Sequence, residues 1–242
     1  MFLRVVSWFK MTLDEIIKKL ESLENPANIA GMARFGIVTK KAFGISAPVL
    51  KNLAKDIKNL AKDRHKLALE LWETEIHEAR AIAYLIDDAK EVTPEQMDDW
   101  VKDFDNWAIC DSTCGTLFCK TEFAYKKVFE WSEREEEFIK RAGIGLMAWL
   151  AVHDKKADDS QIAQFLPILE NKADDERNFI KKAVNWSLRQ IGKRNLNLNK
   201  LAIETAEKIK LQNTKSARWI AADALRELND EKIQEKLLKK SK

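Results

Sequence analysis

The sequence predicts an all-α protein, and three observations carry that expectation. Seven Gly and four Pro are few for 242 residues, whereas a β-sandwich or barrel needs turn residues every ten residues or so. Ala, Leu, Lys, Glu and Ile dominate and 33% of the residues are charged, as in solvated amphipathic helices. The chain also repeats itself. Phe138-Ile139-Lys140-Arg141-Ala142 returns 41 residues later as Phe179-Ile180-Lys181-Lys182-Ala183. Looser relatives are Glu78-Ala79-Arg80-Ala81-Ile82-Ala83 and Ser216-Ala217-Arg218-Trp219-Ile220-Ala221.

Helical-pair repeats of the HEAT and armadillo type have periods of roughly 40–47 residues. One pair cannot bury its faces alone, so neighbours stack into a curved solenoid with a concave binding side. The expected architecture is therefore an irregular α-solenoid of HEAT-like helical-pair repeats with a concave basic surface. It forms a single domain over residues 11–242, since no Ser/Gly-rich linker or low-complexity stretch divides the chain.

Along the chain, Met1–Lys10 is read as an N-terminal extension. Its apolar stretch is interrupted by Arg4 and Ser7, is too short to span a membrane and lacks a small-residue cleavage site. Thr12-Leu13-Asp14-Glu15 reads as a capping box opening the first helix. Asn25-Pro26, Ser46-Ala47-Pro48 and Thr93-Pro94-Glu95 mark further helix starts, each with Pro near the first turn. Pro167 must start, end or kink a helix. Helices are expected through the segment Trp107–Phe118 and from about Arg177 to Lys193.

Charge and cysteines narrow the function classes. Residues 176–242 hold 17 Lys/Arg against 8 Asp/Glu, a net of +9, while residues 1–175 hold 25 against 31, a net of −6. A nearly neutral chain with a basic end is suited to holding a polyanion locally rather than coating one; a solvated charged surface is the plainer alternative. Cys110, Cys114 and Cys119 are an odd count in one segment, which argues against a secreted disulfide framework and for the reducing cytoplasm. Cys110 and Cys114 share a helix, but no nearby His or further Cys pair completes a metal site. No metal, cofactor or membrane partner is expected.

Three places carry candidate chemistry. Trp107 and Asp111 are four residues apart, which on a helix stacks indole and carboxylate about 40° apart on one face. Cys114 and Phe118 continue the stripe, so Asp111 projects from an apolar and aromatic line. Such a carboxylate needs a partner or a job, and a neighbouring helix end or Arg is one solution. In the helix from Arg177 to Lys193, Ile180, Val184, Leu188 and Ile191 form the core face. Trp186 lies away from it with Lys182, Arg189 and Lys193, an arrangement that suits a phosphate backbone and its sugars or, equally, packing against the next repeat under Lys and Arg stems. Arg141 either reaches a ligand or ties one repeat to the next. Gly143 and Gly145 beside it allow close approach of a ligand or of another helix.

Trp107-x-x-x-Asp111, Lys140-Arg141-Ala142 and Asn185-Trp186-Ser187-Leu188-Arg189 resemble the AlkD family of bacterial HEAT-like-repeat DNA glycosylases, in order, in separation and in overall length. Thr39–Pro48 and Leu71-Trp72-Glu73 are similar to that family's N-terminal segments. The resemblance runs from about Met11 onward and implies that Asp111 is the catalytic Asp, that Trp107 and Trp186 are the two active-site Trp and that Arg141 is the active-site Arg. The first ten residues depart from the pattern. The implied activity is excision of cationic alkylated purines, such as N3-methyladenine and N7-methylguanine, from duplex DNA in base excision repair. A base already positively charged leaves without a general acid, so one carboxylate suffices where most glycoside hydrolases need two. The implied protein is a cytoplasmic monomer bound to double-stranded DNA containing alkylated bases, with Lys182, Arg189 and Lys193 on the backbone. The competing expectation is a non-catalytic HEAT-like-repeat protein that binds DNA structure or a protein partner.

Overall fold

A computed structural model of the chain describes residues 11–240. Residues 1–10, read above as an extension, lie outside the described residues. Among the described residues there are fifteen α-helices and no β-strand. They divide into two compact units, one ending at Leu117 and the other beginning at Phe118.

The first unit holds α1 (Leu13–Glu21), α2 (Pro26–Arg34), α3 (Ala47–Leu60), α4 (Arg64–Trp72), α5 (His77–Ile86), α6 (Pro94–Lys102) and α7 (Trp107–Thr116). Side chains at the helix starts satisfy backbone donors that the first turn leaves unpaired. Thr12 makes the expected capping box, and Asp63, Thr93 and Asn106 each cap the helix that follows, a contribution of about 1 kcal/mol apiece. Helix α5 is the hub and packs on α3, α4 and α7, with Ala79, Ile82, Ala83 and Ile86 fully buried. Beneath it, Trp72 of α4 stacks flat on Trp100 of α6, ring centroids 4.0 Å apart. The Trp72 indole donates to Asp103 Oδ2 at 2.8 Å, and the Arg80 guanidinium lies over its ring at 5.0 Å. A buried Trp is thus satisfied on edge and face, which fixes its orientation.

The second unit opens with a 3-10 turn at Phe118–Lys120 and continues with α8 (Ala124–Ser132), α9 (Glu137–His153), α10 (Asp159–Ala163), α11 (Leu166–Asn171), α12 (Asn178–Gly192), α13 (Leu196–Lys210), α14 (Lys215–Leu228) and α15 (Glu231–Lys240). Pro167 falls in the first turn of α11, so it starts a helix rather than kinking one. Helices α9, α12 and α14 lie side by side in one row, each paired with the helix before it in sequence.

The echoed residues occupy the first turns of α5, α9, α12 and α14, and within the second unit neighbouring echoes touch. Phe138 packs on Phe179 with ring centroids 5.3 Å apart, and Lys181 Nζ lies 5.1 Å from the Trp219 ring. Hydrogen bonds stitch one repeat to the next at nearly the sequence period. Arg141 Nη1 donates to Phe179 O across 38 residues, and Ser187 Oγ to Ile144 O and Ser216 Oγ to Ala173 O across 43. The period in the sequence is thus the spacing at which equivalent helices are bonded, which is what a stack of helical pairs requires. Gly143 serves the pairing within a repeat. A Cβ there would come within 2.5 Å of Ser132 N, so the close approach it permits is that of α8, not of a ligand.

Candidate functional site

Helix α7 is built to present its first turn. Asn106, fully buried, accepts from the N–H groups of Ala108 and Ile109 at 3.0 and 3.1 Å, and donates to the Asp105 carboxylate at 2.6 Å. Trp107 and Asp111 follow one turn apart, both half-buried, while Cys110 and Cys114 are buried and none of the three cysteines is in a disulfide. The expected face therefore exists over Trp107, Asp111 and Cys114. It does not extend to Phe118: the helix ends at Thr116, and Phe118 turns into the core of the second unit against Trp131. The Trp107 ring is held in plane by its Nε1, which donates to Phe35 O at 2.8 Å.

Beside this turn lies an open cleft of about 740 Å3, lined by Met32, Phe35, His77, Tyr84, Trp107 and Ser112 among others. Gly44 and Ile45 also line it, in a segment that Glu78 fixes. That carboxylate is fully buried and accepts from the N–H groups of Phe43, Gly44 and Ile45 at 2.9, 2.7 and 3.2 Å, so a charge that would be costly in isolation is matched donor by donor. Gly44 has φ +74°, and a Cβ there would meet Asn25 O at 2.3 Å, so the turn depends on glycine. Burial pushes the His77 imidazole below its ordinary value, against the opposing pull of Glu78 and Asp105. Burial likewise raises the Tyr84 phenol, with a hydrogen bond to Ser112 acting the other way. Both are thus neutral at neutral pH, which leaves the cleft wall without charge.

In the second unit, α12 places its residues as its periodicity demands. Ile180, Val184, Leu188 and Ile191 are fully buried, and Lys182, Trp186, Arg189 and Lys193 recur on another side. Trp186 is half-buried, with its ring edge-on to Trp149 at 5.4 Å and 85°, and Trp149 in turn stacks on His153 at 5.3 Å. Trp149, at a packing position of α9, therefore stands beside Trp186. The cations of the stripe are unequal. Lys182 is exposed, whereas Arg189 and Lys193 share Glu227 of α14, Lys193 Nζ at 2.5 Å, and Arg189 Nε lies 3.7 Å from Asp223. Burial works to raise the Glu227 carboxyl, but the hydrogen bonds from Lys193 and Arg189 outweigh it and hold the group below the usual range. Asp223 is also paired to Asn185 and Arg226.

Arg141 is 6% exposed. Its Nη1 donates to Phe179 O at 2.5 Å, and its guanidinium lies 6.0 Å from the Phe179 ring. It reaches from α9 to the start of α12, so the repeat-tying contact is present whatever else the guanidinium does. Sequence reading missed Glu78, Asp223 and Glu227, because each acts on residues more than 30 positions away. It also passed over a legible signal: from Asn25 to Lys55 the chain has no Asp or Glu and five Lys/Arg.

No curated protein is significantly similar to the chain. A solved structure described as "a new family of proteins related to the HEAT-like repeat DNA glycosylases with affinity for branched DNA structures" superposes with a TM-score of 0.73. It is 21% identical, over 90% of this chain and 95% of that one, a likeness that shows the fold. The family model for "DNA alkylation repair enzyme" matches residues 16–228. Spanning most of the sequence, that match places the chain in the DNA alkylation repair enzyme family.

Proposed function

We propose that the protein is a cytoplasmic DNA N-glycosylase that excises cationic alkylated purines from duplex DNA. The observation that carries the reading is the first turn of α7, where a half-buried carboxylate, Asp111, stands one helical turn from a Trp whose ring plane is fixed by a backbone carbonyl. As the glycosidic bond of an N3- or N7-alkylated purine breaks, positive charge develops on the deoxyribose and the base departs neutral. Asp111 offsets that charge and orients water toward the anomeric carbon, while the Trp107 face shields the sugar and favours its cationic form. A fixed charge of this kind is worth roughly 3–4 kcal/mol. Lys182, with Arg189 and Lys193 in so far as they leave Glu227, holds phosphates.

The same helix supports no acid catalysis of a neutral leaving group, since Asp105 is held by Asn106 outside the α7 face. Purified protein should therefore release N7-methylguanine and N3-methyladenine from duplex DNA and leave 1,N6-ethenoadenine and uracil in place. Efficient release of a neutral base that a single further acid substitution abolishes would overturn the mechanism. A second reading, structure-selective DNA binding without excision, is favoured by the branched-DNA affinity ascribed to the solved relative. It predicts tighter binding to junctions than to linear duplex and no released base.

A further inference from the structure

The turn between α2 and α3 exposes side chains that folding alone does not explain. Phe35 is 73% exposed and Val38 67%, while Ile37 between them lines the cleft. Gly36, at φ 73°, reverses the chain at a conformation other residues resist. Arg34 and Lys40 are exposed on either side, and Lys41 approaches Glu75 no closer than 4.0 Å with both side chains largely in solvent. Helix α2 has no buried residue, so the whole segment is surface. The turn is nevertheless fixed: Gly36 N and Ile37 N donate to Ala33 O and Met32 O at 3.0 Å, and Phe35 O receives the Trp107 indole N–H at 2.8 Å. An apolar tip flanked by cations is thereby joined to the helix that carries Asp111.

We propose that the turn from Arg34 to Lys41 is a DNA-contacting element, in which Phe35 and Val38 press between bases next to the nucleotide at Asp111 and the flanking cations take phosphates. The proposal rests on the DNA reading of the α7 site. Apolar side chains inserted at a base step unstack it and kink the duplex, and only cations without nearby acid suit the backbone on either side. No Asp or Glu falls between Asn25 and Lys55 in sequence, but Glu75 stands 4.0 Å from Lys41, so Arg34 and Lys40 are the cations of the turn that suit the backbone best. A protein partner fits less well, because interface cores are depleted in Lys.

The test places 2-aminopurine beside N7-methylguanine in a duplex and follows its fluorescence on binding. The wild-type protein should raise it by unstacking the probe. A Phe35→Ala, Val38→Ala variant should lose most of the rise and bind the damaged duplex about tenfold more weakly, as expected when an inserting wedge is removed. Its melting temperature should stay unchanged, because both side chains are exposed and the Phe35 carbonyl survives the substitution. Arg34→Gln with Lys40→Gln should flatten the dependence of log K on log salt by about two. No rise with wild type, or a rise and affinity that the double alanine variant retains, overturns the proposal. Base release on the same samples separates the two readings. A Phe35-dependent rise without released base keeps the wedge and removes the glycosylase, and release that ignores Phe35 does the reverse.

Discussion

In the proposed reaction Asp111 is the residue on which the chemistry turns, and Asn is the substitution that removes its charge with least change of shape. If the carboxylate stabilises the developing sugar cation, Asp111→Asn should slow single-turnover release of N7-methylguanine by about 10²–10³, with DNA affinity within a few-fold of the parent. A structural acid would show itself differently, as a lowered melting temperature with the rate retained. Running both measurements on one preparation distinguishes them. That Trp107 and Asp111 share a helix face was legible in the sequence because the argument is local: four-residue spacing on one helix sets them there before any tertiary contact forms. The hydrogen bond from Trp107 to Phe35, spanning 72 residues, belongs to the tertiary fold, and no local pattern encodes it.

At the scale of the helix, the same division between local and distant holds. The limits of α12, its core face and the Pro-marked starts of α2, α3 and α6 follow from periodicity and capping, and they stand where the sequence places them. The end of α7 does not, because the burial of Leu117 and Phe118 draws the chain out of the helix that the apolar stripe would prolong. Nor does the open basic stripe of α12, since Glu227 sits 34 to 38 residues away on the next repeat and cannot be seen from one helix. That pairing has a measurable consequence. Glu227→Gln removes the charge that engages Arg189 and Lys193, so it should tighten DNA binding and steepen the salt dependence by up to about two phosphate equivalents. It should also lower the melting temperature, because two partly buried cations lose their partner. If affinity and slope stay at the parent values while stability falls, α12 does not face the backbone, and the pair serves only to tie α12 to α14.

For the whole molecule, formal charge overstates what is available to DNA. The +9 of residues 176–242 includes Arg177 on Asp175, Arg189 and Lys193 on Glu227, Arg226 on Asp223 and Lys210 on Glu207. Two of these, Arg189 and Lys193 on Glu227, join α12 to α14, so their cations are spent on the stack of repeats before any ligand arrives. Exposed cations outside such pairs include Lys182 on α12 and Arg34 and Lys40 at the α2–α3 turn, and cations of this kind can displace counterions from a duplex. Each phosphate neutralised contributes about −0.9 to the slope of log K against log salt, so three to five contacts give roughly −3 to −5. Titrations of an undamaged duplex between about 50 and 200 mM salt should fall in that range, with a loss of about 10²–10³ in affinity across it. A slope near −8 or steeper would mean that the ion pairs between repeats open when DNA binds. In that case a duplex long enough to engage both cations of the Glu227 pair should abolish the gain expected of Glu227→Gln, because wild type would already have released them. A shallow slope that the Glu227 substitution steepens is the outcome expected of a protein whose repeats are held together by the charges a simple count would assign to its ligand.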